Sequence, residues 1–280
     1  GGVAGGGQRW LDLGVIRIQP SEFMKLAVIL ALARYYHYLP RAFATEPTRL
    51  IPPVVLIAVP ALLVLLQPDL GTATLTVLGG IAMMFLAGVS QWLFIAGGVA
   101  GAAALPVLWS MMHEYQRQRV LTLLDPERDP LGTGYHITQS KIAIGSGGLF
   151  GKGMGGGTQS ALNFLPEKQT DFIFTTFVEE WGLVGALVLL GLFALVLVWG
   201  FSIALRSQHH FGRLVALGVT AMMFLYVFIN TAMVMGVLPV VGVPLPLVSN
   251  GGTAMVSVMF ACGLLIGVNV YRDAQLPRTR

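Results

Sequence analysis

Apolar residues run along this chain in blocks too long and too unbroken to be the inner faces of soluble helices. Between Asp69 and His113 no residue is charged, and none is charged between Arg213 and Arg272. A helix that crosses a membrane needs about 20 apolar residues, so each of these runs holds two crossings with a break between them. The pattern predicts helices over residues 20–38, 51–67, 71–88, 91–112, 172–205, 214–237 and 253–271. Turn-forming strings separate them: Pro40 with a polar stretch, Gln67-Pro68-Asp69, Gly88-Val89-Ser90-Gln91, and a Pro/Gly string from Pro239 to Gly252. The expected fold class is all-α, a polytopic integral membrane helical bundle with about seven transmembrane helices.

Composition agrees. Of 280 residues, 55% are hydrophobic and 11% charged, and the mean hydropathy is +0.75. A soluble domain carries about a quarter charged residues, and one this poor in charge would expose large apolar patches. The apolar segments recur along the whole chain, which excludes reading them as one signal peptide. The net charge of +4 calls for no nucleic-acid partner. Cys262 is the single cysteine, so no disulfide forms within the chain.

Where the basic residues fall sets the orientation. Arg34, Arg41 and Arg49 surround the first loop, Arg206 and Arg213 another, and Arg272, Arg278 and Arg280 the C-terminus. With all three groups in the cytoplasm, seven crossings put Gly1, the Pro239–Gly252 string and residues 113–171 outside. Residues 113–171 are the one sizeable polar region, a large extracytoplasmic loop without a soluble domain of its own. A connection of this length is usually functional.

Ionisable groups in or beside membrane helices are costly and are candidates for function. Four clusters qualify: Arg9, Arg17, Glu22 and Lys25; Asp69; Asp171; and Glu179 with Glu180. Each has a plainer reading. Glu22 and Lys25 stand three apart and can pair at the interface. Asp69, before Leu70-Gly71, can cap the next helix, and Asp171 stands where a helix begins. The run GSGGLFGKGMGGG is not a nucleotide loop. Ser146 stands where a Walker motif needs its first glycine, and no strand precedes Gly151-x-Gly153-x-x-Gly156. His113-Glu114 lacks the second histidine of a zinc HExxH site. The residues alone describe an enzyme acting on an amphipathic lipid, or a transporter of one.

Four strings sharpen this. RWLDLGVIRIQPSEFMK (9–25), QPDLGT (67–72), the GTQS segment with LPEKQTDFIF (157–174) and PVVGVPLPLVSNGGT (239–253) resemble, in order, the signatures of the SEDS family. The wording VVGVPLPL is closer to the elongation branch of that family than to its division branch. Asn250 departs from the pattern, standing where the family usually has tyrosine. The resemblance implies ten membrane helices, so three would precede the seven read here, and residues 1–280 would form a single membrane domain lacking them. It implies a peptidoglycan glycosyltransferase in the bacterial inner membrane, working on the extracytoplasmic side. The substrate would be lipid II, a disaccharide-pentapeptide on undecaprenyl pyrophosphate whose lipid tail stays in the membrane.

Carried over by motif, Asp171 is the catalytic carboxylate. Arg9, Arg17, Lys25 and Lys152 are cations for the leaving pyrophosphate, with Glu22 holding Lys25 and Asp69 lining the same cavity. Gln159 and Glu167 complete the substrate-binding set. The loop glycines would offer backbone N–H groups to phosphate. No resident metal site is expected, although the chemistry leaves room for a divalent cation such as Mg or Mn. The implied partner is a class B penicillin-binding protein, a transpeptidase. The alternatives are a lipid II flippase, a division-type polymerase and a scaffold.

Overall fold

The computed structural model describes residues 2–4, 7–12, 14, 17–40, 43–125, 133–157 and 169–273. Three short antiparallel strands come first: β1 (Gly2–Ala4), β2 (Gly7–Asp12) and β3 (Arg17–Ile18), with Leu11 opposite Ile18. Helices follow: α1 (Pro20–Tyr38), α2 (Pro47–Leu65), α3 (Leu70–Leu86), α4 (Gln91–Met111), α5 (Glu114–Leu124) and α6 (Thr133–Ser146). The last three are α7 (Ile173–Arg206), α8 (His210–Val234) and α9 (Gly252–Val270).

All seven expected apolar helices are present, with ends displaced by a few residues. Pro20 and Pro47 open α1 and α2, positions where the missing N–H costs nothing. Four helices are long and apolar enough to cross a membrane: α2, α7, α8 and α9. The apolar parts of α3 and α4 are shorter, and α1 carries Glu22, Lys25 and Arg34. Large apolar side chains stand outward along these helices, among them Leu62, Leu187, Leu195 and Val198. That is the surface of a multi-pass membrane protein, with lipid as its solvent.

Two features add to the helical pattern. The N-terminal segment pairs as strands, with Leu11 opposite Ile18 and Asp12 opposite Arg17. Residues 113–171 are not all loop, because α5 and α6 fold within them. Gln116 Oε1 accepts the His113 N–H at 3.1 Å and so secures the start of α5.

The chain separates into two compact units. The first comprises residues 1–91, 195–226 and 251–280, and the second residues 92–194 and 227–250. In the first, α1 packs on α2, α3 and α9 around Ile29, Leu32, Leu75, Met83 and Leu214. Glycines set the spacing: a Cβ on Gly80 would fall 2.5 Å from the Ile57 side chain, and one on Gly218 2.6 Å from Ile29. Small residues at helix contacts let the backbones approach.

The core of the second unit is Phe172, Phe174, Val178, Met233, Val234 and Leu245. Ser140 of α6 ties it together, donating to the Val234 carbonyl at 2.7 Å with its oxygen 2.7 Å from Thr175 Oγ1. Helix α7 is broken at Gly182, which has φ 68° and ψ −166°. Such a break leaves backbone groups without partners inside the helix. The glycine-rich loop answers them strand-wise: Lys152 N–H donates to Glu179 O at 3.0 Å and Gly153 N–H to Glu180 O at 3.0 Å, while Leu183 and Val184 N–H donate to Gly148 O and Leu149 O at 2.9 and 3.1 Å.

Contact this close demands glycine. Gly151 has φ +77°, and a Cβ there would run into the Glu180 carbonyl, whereas Gly153 has φ +87° with open space around it. Gly151→Ala should therefore cost strain plus overpacking, about 2–5 kcal/mol. Gly153→Ala should cost strain alone, about 1–3 kcal/mol. Thermal unfolding of the two variants in detergent measures the difference, and equal losses would show that the Glu180 carbonyl does not set the cost at Gly151.

Candidate active site: a buried ion pair and a clamped carboxylate

In the first unit, Glu22 and Lys25 face inward on α1 with side chains 4% and 2% exposed and Nζ 2.7 Å from Oε1. Tyr226 of α8 closes a ring with them: Lys25 Nζ donates to the Tyr226 hydroxyl, which donates to Glu22 Oε2 at 2.9 Å. Ser257 of α9 donates to the same carboxylate oxygen at 3.3 Å, and the ammonium lies 4.6 Å from the centre of the Tyr226 ring. Desolvating two charges costs several kcal/mol per ion, and the pair persists because each has partners on more than one side. The free space beside it is about 10 Å³, hardly room for one water. The interfacial, snorkelling pair allowed by the sequence is thus a core pair. Lys25, expected as a cation for a leaving phosphate, is closed to ligand.

Asp69 is buried and caps α3. Its Oδ1 accepts the Thr72 N–H at 3.1 Å, and its Oδ2 accepts the Thr72 hydroxyl at 2.9 Å and Gln19 Nε2 at 3.1 Å. Such a cap contributes about 1 kcal/mol. The Gln19 N–H lies 3.4 Å from Thr253 Oγ1, and the Thr253 hydroxyl donates to the Arg17 carbonyl at 3.0 Å. The start of α9 therefore holds the backbone from Arg17 to Gln19, with the Arg17 side chain exposed. Arg9 is on β2.

In the second unit, Asp171 lies directly before α7, partly buried. Three successive carbonyls here are clamped by residues far along the chain. Gln169 O accepts the Asn250 N–H at 2.8 Å, Thr170 O accepts the Ser249 hydroxyl at 2.6 Å, and Asp171 O accepts Asn230 Nδ2 at 2.9 Å. Asn230 is fully buried, and its amide also donates to Val243 O at 2.7 Å. The Ser249 oxygen also accepts the Leu245 N–H at 2.7 Å. The carboxylate looks onto the turn at Gly242 (φ +72°), where a Cβ would stand 3.2 Å from Asp171 Oδ2. Asn250 serves through its backbone, so the departure from tyrosine leaves this clamp intact.

Lys152 pairs with the fully buried Glu179 at 2.9 Å. The loop N–H groups are directed inward: Gly151 to Gly147 O, Gly155 to the Glu180 carboxylate at 3.1 Å and Gly156 to Gly153 O. The expected phosphate nest is therefore a structural splice. Gln159 and Glu167 lie outside the described residues.

Tyr226, Asn230, Ser249 and Ser257 escaped the reading of the sequence. The signal was there for two of them, since Tyr226 and Asn230 interrupt an otherwise uncharged apolar run, and polar groups in such runs are functional candidates. For a divalent ion the donor set is poor. Among the described residues no group of three or more His, Cys, Asp or Glu side chains gathers, and Glu22 and Asp69 are already saturated with donors.

A multi-pass helical membrane protein with a sealed ion pair and a rigidly presented carboxylate is the class that fold and site define. The chain belongs to the FtsW/RodA/SpoVE family of cell cycle proteins, whose model matches residues 1–274. It is 53% identical over 275 residues to the peptidoglycan glycosyltransferase MrdB of Escherichia coli K12, covering 97% of this chain and 73% of that protein. It is 38% identical over 271 residues to the stage V sporulation protein E of Bacillus subtilis, covering 97% and 74%. Among solved structures, a chain from a peptidoglycan synthase complex matches with a TM-score of 0.83 at 33% identity, covering 98% of this chain and 76% of that one. The rod shape determining protein RodA of Thermus thermophilus matches with a TM-score of 0.68 at 28% identity, covering 98% and 73%.

Breaking a buried pair strands a charge, at about 3–5 kcal/mol. Glu22→Gln and Lys25→Met should each lower thermal stability by about that much, and the double variant should recover a large part of the loss. Additive losses in that cycle, read from unfolding in detergent, would mean the two charges are not coupled.

Proposed function

We propose that this protein is a peptidoglycan glycosyltransferase of the elongation type, which polymerises lipid II into β-1,4 glycan strands in the bacterial inner membrane and so maintains cell shape. The observation that carries the chemistry is the clamp on residues 169–171, which presents the Asp171 carboxylate on a backbone held at three consecutive carbonyls. A general base has to be held within hydrogen-bond reach of the proton it takes, and a fixed backbone supplies that. The higher identity to MrdB than to the FtsW proteins, 53% against 39% or less, supports the elongation branch.

The reaction is a single displacement. The acceptor sugar's 4-hydroxyl oxygen attacks the anomeric carbon of the donor as Asp171 takes its proton. The bond from that carbon to the undecaprenyl pyrophosphate breaks, and its electron pair stays on the phosphate oxygen. The configuration inverts from α to β. Negative charge grows on the leaving group, and preorganised cations stabilise it. Arg9 and Arg17 are the candidate cations for that role, and Gln159 and Glu167 complete the substrate-binding set.

The reaction takes place on the extracytoplasmic side, and a class B penicillin-binding protein crosslinks the product. The synthase complex that resembles this chain supports such a partner. The closed Glu22–Lys25 pair counts against a flippase, which would need a path for the headgroup past its buried charges.

Asp171→Asn keeps the size and much of the hydrogen bonding but removes the base. Polymerisation of purified lipid II by the protein with its partner should fall by at least about 100-fold; near-normal polymer would end the assignment. Asn230→Leu should lower kcat by about 10- to 100-fold through misplacement of the carboxylate, with KM little changed. A variant with unaltered kcat would show that the clamp does not position the base.

A further inference from the structure

We propose that the groove between the C-terminal end of α1 and the N-terminal half of α2 binds the phosphodiester headgroup of an anionic phospholipid. The groove has a volume of about 740 Å³, and Arg34, Tyr35, Tyr38, Arg49 and Leu56 line it. Twelve residues separate Arg34 from Glu22 on α1, about 18 Å of helix, so this is not the site of the buried ion pair.

Three observations define the ligand. The first is charge: two guanidinium groups share the groove, and among the described residues no carboxylate reaches Arg34. Arg49 has Glu46 at 3.9 Å, with both side chains exposed, an arrangement worth little. Guanidinium groups suit phosphate oxygens because they can donate two parallel hydrogen bonds. The second is preorganisation. The Tyr35 hydroxyl donates to the Arg49 carbonyl at 2.7 Å and fixes one wall against the other, and the Arg34 guanidinium lies 5.7 Å from the centre of the Tyr38 ring, within cation–π range.

The third is the surface the groove opens onto. Leu56 begins a stripe on α2 that continues through Val59 (50% exposed) and Leu63 (57%), spaced three and four apart as one helix face requires. Acyl chains can lie along that stripe while the headgroup meets the arginines and tyrosines, the residues that mark headgroup depth. A soluble phosphate would use the charges but has no use for the stripe.

Native mass spectrometry of the full chain in detergent, titrated with phosphatidylglycerol or phosphatidylcholine, reads the site directly. We expect retained phosphatidylglycerol and little phosphatidylcholine. The loss should be about fivefold for Arg34→Gln or Arg49→Gln and about 25-fold for both. Arg272→Gln, an exposed basic residue elsewhere, should retain the lipid. Equal retention of both lipids, an equal loss in Arg272→Gln, or displacement of the lipid by inorganic phosphate at matching concentration would overturn the proposal. Should the double variant not fold, Arg49→Gln alone decides, since it alters only an exposed side chain.

Discussion

A membrane offers no water to an idle N–H or C=O, and a backbone group left unpaired there costs several kcal/mol. Most of this chain meets the constraint in the simplest way, by being helix. The informative places are those where the helix stops. At Gly182 the break in α7 releases carbonyls at Glu179 and Glu180 and N–H groups at Leu183 and Val184, and the glycine-rich loop takes up all four. Before α7, the carbonyls of residues 169, 170 and 171 are met one after another by Asn250, Ser249 and Asn230.

The same constraint acts on charge. Glu22 and Lys25 are buried together and further bound by Tyr226 and Ser257, and Glu179 is buried against Lys152. In each case the acidic group has its cation at hand, and Glu22 has two hydroxyl donors besides, which keeps a charge tolerable in low dielectric. The Asp171 carboxylate instead faces the Gly242 turn, and Arg17 is exposed. Function and folding draw on the same small stock of ionisable residues, and burial decides which residue serves which purpose.

The clamp also gives the order of the motifs a physical sense. Gln169 and Thr170 are separated from Ser249 and Asn250 by α7 and α8, yet the Asn250 N–H donates to Gln169 O and the Ser249 hydroxyl, 79 positions from its partner, to Thr170 O. The carboxylate and the turn it faces are therefore parts of one object.

The seven apolar helices were legible from the residues because length and lack of charge are enough to define a membrane helix. Asp69 could be recognised as a cap from its place after Pro68, and the Glu22–Lys25 pair from its spacing of three. Strands β2 and β3 and helices α5 and α6 were not, since they are short, partly polar segments whose pairing depends on neighbours. Nor could spacing tell that Lys25 points into the core, that the loop glycines meet helix α7 and not phosphate, or that Asn230 reaches two carbonyls at once. Local pattern determines which segments are helical and which solvent they need. Only the tertiary structure decides which buried polar group satisfies which, because that depends on contacts between residues the chain itself keeps far apart.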